Sequence, residues 1–280
     1  MFSNSKIPEY LDRLEHDGFV EISDCLDHGI LERVNAVVER PLNQLTINGK
    51  RGFVETRNTR FLFETFFWGK DIIDIYTSPN LIQLADTFVN SEVHISNHRI
   101  YRTFPCKTKK MAWHIDNKID EYDNEQERFV TTVLPDEKGL IIIVYLSDVN
   151  DGGLQLVKGS HLWSSGNKEV WSNEELKSST ENIITFNERK KGTAIIYDYR
   201  CVHRAKPYRT GPARTSLFGQ FSSNNSPTGE PILLSTSDIP FLNDIQKRVL
   251  NFGENPTTQN WPIGSKPQNI ISFSKYLVNS

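Results

Sequence analysis

From residue 91 onward the chain breaks into short β-type runs, VHISNHRIYRTF, LIIIVYLSDV, GLQLV, NIITF, GTAIIYDY and RTSLFGQFS, each bounded by turn residues. Several strands spaced by turns, with no long helices alternating between them, predict a barrel or sandwich and argue against a parallel βαβ sheet. The first ninety residues read differently. Ile7, Tyr10, Leu11 and Leu14 fall at helical spacing before Asp17-Gly18; Leu31, Val34, Val37 and Val38 do so after Asp27, a candidate N-cap. GFVEI between them reads as a short strand. Asp71 to Tyr76 and Leu81 to Val89, the latter after Ser78-Pro79, read as further helices. Beyond Pro227 the chain turns polar and Pro-rich, with one helix around Phe241 to Leu250. The expectation is one mainly β domain over 1–280: a mostly helical part (1–90), a barrel core (91–226) and an extension packed outside it (227–280).

Composition narrows the function classes. With 280 residues, 37% of them hydrophobic, the chain is able to bury a sizeable core. Its 32 basic and 35 acidic residues nearly balance, so charge names no nucleic-acid or membrane partner. Cys25, Cys106 and Cys201 are odd in number and widely spaced, without a CxxC, which argues against a disulfide framework and a structural zinc site. No apolar run has the length of a signal peptide or a membrane span. These features lead us to expect a cytoplasmic protein, monomer or homodimer.

The chemistry centres on WHIDNK. On a strand, residues i and i+2 face the same side about 6.5 Å apart, so His114 and Asp116 are able to converge on one ion. A second histidine, His203, follows the strongly β-forming run GTAIIYDY, and Arg214 lies eleven residues beyond it, opening RTS. Two imidazoles and one carboxylate with open positions are what ferrous iron uses in non-haem oxygenases.

The HxD, the GGLQLVKGSH segment and the H-x(10)-R spacing together resemble the phytanoyl-CoA dioxygenase-like branch of the Fe(II)/2-oxoglutarate-dependent oxygenases. The resemblance runs from about residue 8 to 221 and includes LDRLEHDGFVEI. It implies a double-stranded β-helix, a jelly-roll or cupin-like barrel with the N-terminal helices outside. It further implies Fe(II) held by His114, Asp116 and His203, with 2-oxoglutarate and O2 as cosubstrates, a small-molecule substrate, and hydroxylation of one of its C–H bonds as the default outcome. Desaturation, cyclisation or another oxidative rearrangement with the same cofactors is the alternative, and a non-catalytic binding module or a ketoacid-independent cupin-type metalloenzyme stands behind it. Arg214 would hold the distal carboxylate of 2-oxoglutarate, a task suited to a planar guanidinium. Ser216, two residues on, would add a hydroxyl. Asp116 occupies the position that a halogenase would vacate for halide.

Other residues carry alternatives. His161 competes with His203 but has no arginine at the required distance. His94 and His98 share one strand face, either lining the barrel mouth near substrate or serving structure. Gln155 either lines the cosubstrate cavity or faces outward. Tyr101 and Trp113 either shape the pocket or pack, and Arg209 either contacts substrate or is a solvated cation. His16 and His28 read as surface or cap residues. The acidic segment from Asn117 to Lys138 reads as a surface loop that orders over substrate. Lys50, Arg51, Arg57 and Arg60, with Lys107, Lys109 and Lys110, suit either an anionic substrate or balanced surface charge.

Overall fold

The computed structural model describes residues 1–44, 53–54, 59–62, 65–106, 113–116, 118–123, 128–133, 137–163, 180–226 and 242–250. Helix α1 (Ile7–His16) buries Ile7, Tyr10 and Leu14, and strand β1 (Phe19–Ile22) follows it. In α2 (His28–Gln44) the Asp27 carboxylate accepts from the Gly29 N–H at 2.8 Å, the cap its position predicts. Helices α3 (Lys70–Tyr76) and α4 (Pro79–Val89) also lie where the spacing puts them, and the Ser78 hydroxyl accepts from Leu81 N–H. A hairpin absent from the sequence reading, β2 (Phe53–Val54) and β3 (Thr59–Leu62), interrupts this helical part.

The remaining strands are β4 (Val93–Thr103), β5 (Lys118–Asp123), β6 (Arg128–Val133), β7 (Gly139–Tyr145), β8 (Leu154–Val157), β9 (Ile183–Thr185), β10 (Ala194–Asp198), β11 (His203–Ala205) and β12 (Arg214–Ser223). A short helix, α5 (Asp244–Val249), lies within the expected C-terminal span and carries a capping box between Asn243 and Gln246. Residues 227–241 and 251–280 of the proposed extension lie outside the described residues.

A seven-stranded sheet has the order β1-β10-β7-β12-β4-β3-β2, and a small one the order β11-β8-β9. His114 forms an isolated antiparallel bridge to His203 and so extends the small sheet by one position. Along the chain β4, β7, β10 and β12 enter the large sheet, while the His114 bridge, β8, β9 and β11 enter the small one. That alternation is a jelly-roll barrel, as expected.

Both faces of the large sheet are covered, which explains why LIIIVYL shows no polar alternation. Ile141, Ile143 and Tyr145 point into the barrel with Leu154, Leu156, Ile195, Tyr197 and Phe218. Leu140, Ile142 and Val144 point the other way, into a second core with α1 to α4. Gly219 permits the closest helix approach: a Cβ there would lie 2.5 Å from the Tyr76 ring of α3, whose hydroxyl donates to Phe218 O at 2.7 Å. Gly18, at φ 84°, joins α1 to β1 against Cys201 Sγ and His161 Nδ1, where any side chain would collide.

The segment expected to be a loop, Asn117 to Lys138, is largely a hairpin. Strands β5 and β6 pair in register from Lys118↔Val133 to Asp123↔Arg128 and join neither barrel sheet. Its polar composition conceals it, since the pairing rests on a main-chain ladder that composition does not display.

Candidate metal centre and active site

Reciprocal main-chain hydrogen bonds place His114 beside His203, at 3.0 Å from His114 N and 2.9 Å from His203 N. A further one, Asp116 N to Tyr199 O at 2.9 Å, fixes the carboxylate two residues on. His203 Nε2 lies 3.3 Å from Asp116 Oδ2, and His114 Nε2 lies 3.8 Å from Asp116 Oδ1. One ligand atom from each of the three residues lies within 4.8 Å of the others. Donors about 2.1 Å from one octahedral ion stand about 3 Å apart, so this cluster closes on a metal with small side-chain adjustments.

The tautomer fits as well. His203 Nδ1 is 3.0 Å from Cys201 O, a group that only accepts, so Nδ1 carries a proton and Nε2, beside Asp116, is the nitrogen left for a metal to take in place of a proton. Burial alone would raise the Asp116 pKa; the charge and hydrogen bond of His203, then His114, outweigh it and hold the carboxyl well below the usual range. For His203 burial lowers the pKa, but Asp116 prevails and raises it. Asp116 and the imidazoles thus favour one another's charged forms, and a divalent cation among them would take the place of a proton.

Arg214, Ser216 and Tyr101 lie on the barrel-facing side of the large sheet. Ser216 sits opposite Tyr101 on β4 and Tyr145 on β7, and Arg214 opens the same strand one inward step away. Arg214 Nε and Ser216 Oγ are buried without a hydrogen-bond partner among the described residues. Buried donors of this kind are costly, and an acceptor brought by a ligand would satisfy them. Burial raises the Tyr101 pKa, partly offset by Arg214 and Ser216, so its phenol is neutral.

Four sequence-predicted residues are not brought to this face. Gln155 pairs with Arg204 and Thr185 on the outside of the small sheet, because Leu154 and Leu156 on either side fill the barrel. Trp113 packs on that same outer side beneath the Arg204 guanidinium, 4.2 Å from the ring centroid, since alternation opposes it to His114. His98 faces the helices, stacked 4.1 Å from Phe66 and accepting from Thr65. Arg209 is exposed on the connection between β11 and β12.

Residues 14–216 match the phytanoyl-CoA dioxygenase family, PhyH. The chain belongs to that family. None of the curated proteins matches it by sequence. Among solved structures this PhyH-family chain is similar to SnoN, a non-heme alpha ketoglutarate dependent epimerase from nogalamycin biosynthesis. That pair shares 16% identity and a TM-score of 0.63, over 94% of this chain and 95% of SnoN. It is also similar to AviO1 from Streptomyces viridochromogenes Tue57, at 19% identity and TM-score 0.58, covering 80% of this chain and 97% of AviO1. HygX from Streptomyces hygroscopicus, with nickel and 2-oxoglutarate bound, matches at 16% identity and TM-score 0.56, covering 78% of this chain and 87% of HygX. SnoN has been solved with Fe3+, alpha ketoglutarate and nogalamycin RO, and HygX with hygromycin B. At these identities the likeness establishes the fold.

In this PhyH-family chain His161 and Arg60 serve structure. His161 is buried away from the cluster, its Nε2 3.1 Å from Glu15 O at the end of α1. Arg60 donates to Leu42 O and Asn43 O at the end of α2. Lys50, Arg51, Arg57, Lys107, Lys109 and Lys110 lie outside the described residues. No helix among the described residues is long and apolar enough to cross a membrane. The sequence reading missed Asn97, Arg99, Tyr145 and Tyr197, all turned to the barrel interior. The signal for two of them was present: the alternation that puts His94 and His98 on one side of a regular β4 puts Asn97, Arg99 and Tyr101 on the other.

Proposed function

We propose that the protein is a non-haem Fe(II)- and 2-oxoglutarate-dependent dioxygenase that hydroxylates a C–H bond of a small molecule, releasing succinate and CO2. The observation that carries this reading is the juxtaposition, on one barrel interior, of the His114-Asp116-His203 donor cluster with the unsatisfied Arg214 and Ser216. Bound Fe(II) with 2-oxoglutarate and O2 supplies the oxidising power for C–H cleavage. The protein's own residues do the positioning. His114, Asp116 and His203 hold the ion, with the Cys201 carbonyl fixing the His203 ring. Arg214 and Ser216 take the far carboxylate of the ketoacid, with Tyr101 beside them. Ile141, Ile143, Leu154, Leu156 and Phe218 exclude water from the interior.

Anaerobic addition of Fe(II) and 2-oxoglutarate should produce a visible charge-transfer band that Arg214→Leu loses. No band in the wild type would refute the reading. A second outcome, epimerisation, draws support from the likeness to SnoN along 94% of this chain. Product mass separates the two: hydroxylation adds one oxygen atom, epimerisation none.

A further inference from the structure

The interior face of β4 presents a second guanidinium. Arg99 stands opposite Phe218 on β12, one inward step along the strand from Tyr101, and its carbon Cζ lies 5.0 Å from the Phe218 ring centroid and 5.8 Å from that of Phe61. Its Nε is buried without a hydrogen-bond partner, and no carboxylate among the described residues pairs with it. Asn97, one inward step further, likewise has a buried Oδ1 without a partner. Arg102 on the opposite face shows what a structural arginine looks like here: it bonds Thr215, Asn43 and Glu39.

The charges of the interior point the same way. Arg99, Arg214 and a divalent ion bring four positive charges, while Asp116 and a 2-oxoglutarate dianion bring three negative ones. Tyr101, Tyr145 and Tyr197 contribute none, because burial keeps their phenols protonated. One positive charge is left over. A half-buried guanidinium whose Nε is sealed against aromatic rings, and whose nearest charge, Asp116, is committed to the donor cluster, leaves a donor for a ligand anion to satisfy.

We propose that Arg99 is a substrate-binding residue: the primary substrate carries a carboxylate or phosphate group that Arg99 grips beside the metal cluster. This rests on the function proposed above and names the class of molecule it acts on. Arg214 and Arg99 then divide the two anions, the cosubstrate's far carboxylate at one end of the interior and the substrate's charged group nearer the metal. Phe61 and Phe218 hold the guanidinium plane and leave its edge for the anion.

The test uses the full chain loaded with Mn(II), a paramagnetic stand-in, and saturated with 2-oxoglutarate, with inorganic phosphate as the probe and phosphorus nuclear relaxation as the readout. Phosphate bound near the metal relaxes faster. Expected is an enhancement in the wild type that falls at least about tenfold in Arg99→Leu and is partly restored in Arg99→Lys, while 2-oxoglutarate affinity stays within about threefold. Equal relaxation in Arg99→Leu would mean phosphate sits on the metal alone and would overturn the assignment. So would no enhancement in the wild type. Loss of 2-oxoglutarate binding in a folded Arg99→Leu would also overturn it, by assigning Arg99 to the cosubstrate. A wild type that binds neither Mn(II) nor 2-oxoglutarate takes down the parent reading as well, and is recognised before phosphate is added.

Discussion

The two faces of the large sheet treat their buried polar residues in opposite ways. On the helix-covered face Arg102 is saturated by Thr215, Asn43 and Glu39, and His98 by Thr65. On the barrel face Arg214, Ser216, Arg99 and Asn97 each keep a buried polar atom without a partner among the described residues. Two of the four buried histidines, His98 and His203, differ similarly. His98 Nδ1 accepts from the Thr65 backbone N–H at 3.3 Å, so its lone pair is spent inside the fold. His203 Nδ1 donates to Cys201 O, which leaves Nε2 directed at Asp116 and at the place a metal would take. The contrast is one of degree, since Arg60 Nε on the Arg102 side is also unpartnered, but only on the barrel face do four such residues line one interior beside the donor cluster.

Substitutions should therefore separate into losses of binding and losses of stability. The largest effect is expected from His203→Ala or Asp116→Ala. Removing one of three protein donors should weaken divalent metal binding by more than about 100-fold and eliminate turnover. The metal-free variants should still unfold cooperatively, because none of the three donors belongs to the apolar clusters that hold the barrel together. Metal titration with parallel thermal unfolding measures both; a variant that keeps wild-type metal affinity would break the assignment of the triad.

Next in size is the contrast between two arginines on opposite faces. Arg214→Leu should lower 2-oxoglutarate affinity by about 100-fold, the scale of two charge-assisted hydrogen bonds, at little cost in stability. Arg102→Leu should do the reverse, costing about 1–2 kcal/mol by leaving Thr215 and Asn43 unpaired while 2-oxoglutarate binding is retained. Calorimetric titration and denaturant unfolding of both variants would expose any exchange of roles. Gly219→Ala, on the Arg102 side, should cost about 1–3 kcal/mol, since the added methyl meets the Tyr76 ring at 2.5 Å. Metal binding by the folded fraction of that variant should match the wild type.

Periodicity and spacing made the barrel and its site legible to different depths. HxD spacing puts His114 and Asp116 on a shared face by strand alternation, whereas the pairing of His203 with Arg214 comes from the family resemblance, since that interval crosses from one sheet to the other. The same rule was available for β4, and it separates Tyr101 from His98, which were both assigned to the site. Gln155 and Trp113 show what was missing: alternation says that neighbours oppose one another, but deciding which set faces inward needs the partner sheet. Leu154 and Leu156 settle this for β8 only once they are seen against Phe186 and Ile195. The β5–β6 hairpin eluded the reading because its pairing rests on main-chain hydrogen bonds, which composition does not display.

The smallest expected effect tests the saturated face through pH. Burial, aided by the Arg99 charge, pushes the His98 pKa down to about 3, against an ordinary value of about 6.5 in the unfolded chain. The unfolded state therefore binds a proton that the folded state refuses throughout that interval. His98 contributes its full stability above about pH 6.5, and the contribution is lost as pH falls from there toward 3. By pH 5 the loss from this group alone should reach about 2 kcal/mol, at 1.36 kcal/mol per pH unit. His98→Phe keeps a ring against Phe66 and removes the titration, so its unfolding free energy should decline less between pH 7 and pH 5 than that of the wild type. Equal declines would mean that His98 takes up a proton in the folded protein, and the helix-covered face would then hold a polar group as unsatisfied as those inside the barrel.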